Sequence, residues 1–232
     1  MTSARWARSR SARSTRSARA TSITRRSSGD LVVCVGFFED GGEGCRHNVA
    51  ACVTGDGLLG LHRKVHMPLR EGRMTTPGDA IEAFDTPVGR IGMLICYDKA
   101  FPEAARTLAL DGAQVIATMS AWPSSKTAAA EKLTDDRQWR RAELWDRSRA
   151  AENSLVVASS NQTGMFGSLR FLGGARIVEP GGDVVAATGT TPGLAVASFD
   201  LDAVLARARK ALSPITDLRP DVYRVAAPLQ AV

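Results

Sequence analysis

The sequence predicts a layered α/β sandwich with a mixed sheet. Brief apolar runs alternate with helix-forming stretches, which argues for strands and helices packed in layers. Some of the strand-like runs are joined by Gly-rich turns of hairpin type, so parallel and antiparallel pairs are both expected. The 232 residues suit one sizeable domain.

Leu31–Phe37 reads as an apolar strand, followed by a turn at Asp40-Gly-Gly-Glu-Gly44. Asn48–Val53 and Leu58–His62 read as two further strands around a tight turn at Gly55-Asp-Gly57. A polar loop, Leu69–Asp79, leads to a short strand pair about Thr86-Pro-Val-Gly89. Ile91–Ile95 is a buried strand, being brief and preceded by Gly89. Pro102 and Glu103 open a helix, because proline suits the first helical position and glutamate suits the positive end of the helix. Gly112 stops it, and Gln114–Met119 is the next strand.

Residues 124–152 are expected to be largely helical, with Thr134 as N-cap and a core stripe of Trp139, Ala142, Trp145 and Ala150. Strands follow at Leu155–Ser160, Phe171–Val178, Val184–Ala187 and Leu194–Phe199, with a hairpin turn at Glu179-Pro-Gly-Gly-Asp183. The last helix spans Leu201–Leu212 and ends before Pro214; Pro220–Tyr223 reads as extended.

Charge divides the chain unevenly. The net charge is +6, yet residues 1–29 hold eight arginines and no acid, leaving 22 basic against 24 acidic residues in the rest. Residues 1–29 are Arg/Ser/Ala-rich with little to bury and are expected to be disordered. They fit a transit peptide, a basic nucleic-acid arm, or a segment produced by a wrong start or reading frame. The near-neutral body, residues 30–232, argues against nucleic acid as a partner. The 44% apolar content is ordinary, and no apolar run approaches the roughly 18 residues that span a bilayer. Cys34, Cys45, Cys52 and Cys96 lack CxxC spacing and the three histidines form no obvious cage, so no metal is expected. Reduced thiols and a cytoplasmic setting follow.

Cys96 falls where a core strand ends and a helix is about to begin, the place where ligands meet protein in α/β folds. A thiol there can meet substrate while nearby backbone N–H groups face a developing oxyanion. The competing reading is a core cysteine, since free Cys is among the most buried residue types.

Arg63-Lys-Val-His-Met-Pro68, Pro77-Gly-Asp79, Gly92 with Ile95-Cys-Tyr-Asp98, and Phe101-Pro-Glu103 resemble the carbon-nitrogen hydrolase (nitrilase) superfamily, in an amidase-like branch. The likeness continues through Arg149-Ala-Ala-Glu-Asn153, Phe171-Leu-Gly-Gly174 and Arg219-Pro-Asp-Val-Tyr223. It implies an α-β-β-α sandwich and hydrolysis of a small amide or carbamoyl compound to acid and ammonia through a cysteine thioester. Cys96 is implied as nucleophile and Lys64 as oxyanion-stabilising cation, aided by the Tyr97 N–H. Glu71 is implied as a substrate-orienting glutamate, with Tyr97, Phe101 and Trp122 as pocket walls. Asp98 is expected to orient nearby backbone. No cofactor is implied, the partner is a small-molecule amide, and a homo-oligomer is expected.

One departure stands out. The family's base glutamate lies on a strand before the counterpart of Leu31, whereas no glutamate here precedes Glu39, which sits at an ordinary turn. The fold is therefore expected to be N-terminally incomplete, with an exposed sheet edge and exposed apolar helix faces. The alternative function is an impaired, truncated member acting as a partner-binding module.

Overall fold

The computed structural model describes residues 31–69 and 71–223. Alternating side chains in Val33–Gly42 (β1), Cys45–Thr54 (β2) and Gly57–Arg63 (β3) build a three-stranded antiparallel meander. Its inner face, including Ala50 and Cys52, packs on Met93 and Ile95 of a second sheet.

That second sheet has six strands in the order β11-β10-β7-β6-β5-β4. They are Ala83–Thr86 (β4), Gly89–Ile95 (β5), Val115–Ser120 (β6), Val156–Asn161 (β7), Arg176–Val178 (β10) and Val184–Ala187 (β11). Thr163–Phe166 (β8) and Leu169–Leu172 (β9) form a separate hairpin. β5, β6 and β7 run parallel and the outer pairs antiparallel, which makes the sheet mixed as expected.

Helices α1 (Pro102–Leu110) and α2 (Arg137–Asn153) make the crossovers on one face, where Leu108 and Ala150 close over Leu94, Ile116 and Val157. α1 approaches so closely that a Cβ on Gly92 would lie 2.7 Å from Leu108 Cδ1. Helix α3 (Leu201–Ala211) sets Val204 and Leu205 against Val156, whose side chain alternates away from α1 and α2.

The described residues thus supply helix, sheet and sheet layers. Among the described residues β1 pairs only with β2. Exposed apolar side chains include Val33, Phe37, Leu58 and Leu61 on the meander, and Leu110 and Leu144 on α1 and α2.

Several local expectations change. The N-cap of α2 is Asp136 rather than Thr134: its buried carboxylate accepts from Gln138 N at 2.8 Å and also from Ser125 N. One local bond together with a clasp on the loop at Ser125 and Ala130 outweighs the single bond a threonine offers. Residues 124–132 are consequently loop, not helix. Phe171–Val178 is broken by Gly173 and Gly174, both at positive φ, where the chain leaves the β8–β9 hairpin and enters the main sheet at β10. A Cβ on Gly174 would meet the Trp139 ring at 2.7 Å. Leu194–Phe199 is not a strand, and Pro220–Val222 is a short 3-10 turn rather than extended chain. Residues 1–29 lie outside the described residues.

Candidate active site

β5 ends at Ile95, and the backbone turns sharply at Cys96, which adopts φ of 51° before a 3-10 turn through Ala100. A left-handed conformation is unfavourable for a residue with a Cβ and persists where surrounding structure enforces it. Two sets of buried polar contacts do so.

The first centres on Asp98, which is fully buried. Its Oδ2 accepts from His62 Nε2 at 3.0 Å and from Ile95 N at 3.1 Å. Its Oδ1 accepts from His66 Nδ1 at 2.9 Å, from His66 N at 2.8 Å and from Val65 N at 3.3 Å. Since the carboxylate can only accept, both ring nitrogens carry a proton on that side. Burial would raise the Asp98 carboxyl, but the hydrogen bonds from His62 and His66 outweigh it and hold the group well below the usual carboxylate range. His66 also stacks on Phe101 with centroids 3.7 Å apart. The donors flank Lys64 on both sides, so one carboxylate locks the lysine segment to the cysteine turn.

The second is an ion cluster beneath the turn. Lys99 Nζ donates to Asp146 Oδ1 at 2.8 Å, and Arg176 Nη1 donates to Asp146 Oδ2 at 2.9 Å. Arg149 donates from Nε to the Lys99 carbonyl at 2.9 Å. The turn is thereby tied to α2 and β10 with its buried charges paired.

Above the turn lies a cavity of about 1090 Å³. Cys96, Lys64, Glu71, Tyr97 and Trp122 all line it, so the five residues singled out from sequence share one cleft. Phe101 does not line it and instead supports His66 and Tyr97 from behind. The Lys64 ammonium is buried and pairs with the Glu71 carboxylate, which also accepts from Asn48 Nδ2 at 2.9 Å. Burial pushes the Cys96 thiol up from its ordinary value, while Lys64 and Lys99 pull it down.

Glu39 points elsewhere. It forms a two-pronged ion pair with Arg63, at 2.7 Å and 3.0 Å, and does not line the cleft. Among the described residues, Glu71 is the sole carboxylate on the cleft wall.

The family model for carbon-nitrogen hydrolase matches residues 25–209. The chain belongs to the carbon-nitrogen hydrolase family. It is 34% identical over 210 residues to N-carbamoylputrescine amidase of Solanum lycopersicum, a match spanning 84% of this chain and 68% of that relative. It is also 34% identical over 177 residues to deaminated glutathione amidase of Bos taurus, spanning 72% of this chain and 50% of the relative. The crystal structure of carbon-nitrogen hydrolase from Helicobacter pylori G27 superposes with a TM-score of 0.76 at 28% identity, covering 84% of this chain and 70% of that one. Membership makes this family member a hydrolase of non-peptide carbon–nitrogen bonds, and the two relatives named above are amidases.

The residues that sequence reading passed over are those that hold this site. Asn48, His62 and His66 carried no motif of their own beyond their neighbourhood to Lys64. Arg137, Arg141 and Trp145, four residues apart along α2, all line the cleft, and that spacing was the signal available.

Proposed function

We propose that this chain hydrolyses a small amide or carbamoyl compound to acid and ammonia, with Cys96 as nucleophile. The observation that carries this is the strained turn presenting Cys96 to the same cleft as the buried Lys64 ammonium. Thiolate attack on the carbonyl carbon forms the C–S bond, and the charge on oxygen is met by Lys64 and by the Tyr97 N–H. Collapse breaks the C–N bond, and the thiol proton leaves on ammonia. Water then attacks the thioester, releasing the acid and restoring the thiol. Glu71 orients the substrate and is the cleft carboxylate suited to relay these protons. Trp122 and Tyr97 shape the apolar wall.

The test is ammonia release from a panel of small amides by the intact chain and by Cys96→Ala. Release that requires Cys96 supports the reading; equal release by both proteins would sink it.

The four free cysteines suit a reducing, cytoplasmic compartment, and family likeness points to a homo-oligomer. Light scattering across a concentration series reads the second point. Among the described residues, no helix is long and apolar enough to cross a membrane.

A further inference from the structure

The cleft carries an uneven charge. Its one carboxylate among the described residues, Glu71, is already committed to Lys64 and Asn48. Three further cations line the same cavity, namely Lys126, Arg137 and Arg141. None of the three pairs with a carboxylate among the described residues. The excess is local, because residues 30–232 hold 22 basic against 24 acidic residues.

These cations are also placed. Arg137 and Arg141 lie one turn apart on α2. Arg137 Nη2 donates to Thr127 Oγ1 at 3.2 Å, and the Arg141 guanidinium sits 5.8 Å from the Trp145 ring centroid. Trp145 in turn packs on Trp122 at 5.3 Å, and Trp122 belongs to the apolar cluster that Cys96 packs against. Two indole rings, Trp145 and Trp122, therefore lie between Arg141 and the cluster that Cys96 packs against.

Resting on the amidase reading above, we propose that the substrate is an anionic amide: a carboxamide or carbamoyl compound whose far end carries a carboxylate. Arg137, Arg141 and Lys126 receive that carboxylate, and the apolar wall formed by Trp122, Trp145, Phe38 and Met119 lies along the intervening chain. The three cations are exposed, and their field repels a substrate ending in an ammonium group to an extent that salt screens. A cationic carbamoyl amine, such as the substrate named for the Solanum lycopersicum relative, is therefore selected against here.

The test compares glutaramate, pentanamide and 5-aminopentanamide, three amides of similar length ending in a carboxylate, a methyl and an ammonium group. Ammonia release at low ionic strength is expected to give kcat/KM in that order, with glutaramate at least about tenfold above 5-aminopentanamide. The ratio is expected to shrink in about 0.5 M salt. In Arg137→Gln/Arg141→Gln it should fall by about tenfold. Equal turnover of all three, or preference for the ammonium compound, would overturn the proposal while leaving the amidase reading standing. Should none be hydrolysed, calorimetric binding to Cys96→Ala separates the two ideas. Tighter binding of glutaramate than of 5-aminopentanamide then upholds the charge selection, whereas equal binding overturns it; the amidase reading itself stands or falls on the wider amide panel and its dependence on Cys96.

Discussion

Asp98 Oδ2 accepts a hydrogen bond from His62 Nε2 at 3.0 Å, with both side chains buried. This contact joins residues 36 positions apart, one just before Lys64 and the other just after Cys96. The distance between Lys64 and Cys96 therefore rests on a residue that lies behind the cleft wall.

Asp98→Asn is expected to destabilise the fold by about 3–5 kcal/mol, because the amide group turns a donor toward donors. Urea denaturation with circular dichroism reads the change. The carboxyl is depressed in the folded state, so its stabilising effect is complete above about pH 4 and is lost as pH falls toward its folded value. The variant should show a flatter decline of stability on acidification; an unchanged slope would count against Asp98 as the acid-sensitive group.

Cys96 adopts φ of 51°, a region where glycine is at ease and alanine is not. Cys96→Gly is expected to be more stable than Cys96→Ala by about 1 kcal/mol, with neither releasing ammonia. Thermal melts of the two proteins check the difference. Equal melting temperatures would mean that the turn carries no strain.

Burial pushes the Cys96 thiol up, so it is protonated near neutrality and kcat/KM should climb with pH on the alkaline side. Lys64 opposes that rise. Lys64→Met should therefore move the climbing limb to higher pH as well as cutting the rate by about 10²–10³-fold. A pH–rate profile of both proteins reads the limb, and a shift to lower pH would contradict the assignment.

Asp146 holds Lys99 and Arg176 together beneath the turn. Asp146→Ala leaves two buried cations without their carboxylate and is expected to cost about 3–5 kcal/mol. Asp146→Asn, which keeps the volume, should cost less. Chemical denaturation of the pair settles the order.

Much of the architecture was legible in the chain. The run Ile91–Ile95 followed by Pro102 announced a strand, a turn and a helix, and each of the three is present. Leu194–Phe199 misled because apolar content marks a segment able to pair, while pairing needs a free sheet edge in register; here Leu194 and Val196 stay exposed. Thr134 misled because a cap is chosen by where the chain arrives, and the Ser125 loop reaches Asp136.

By itself the sequence determined most of the strand and helix order and the family, and it singled out Lys64, Glu71 and Cys96 as candidates, since local patterning and motif spacing are properties of neighbouring residues. Only the tertiary structure decided that Asp98 binds the segments on either side of Lys64, that Glu39 turns away to Arg63, and that Arg137 and Arg141 line the cleft with Cys96. These are meetings of residues far apart in the chain. Their geometry follows from how two sheets and a helix layer stack, and burial then sets the strength of every charge they bring together.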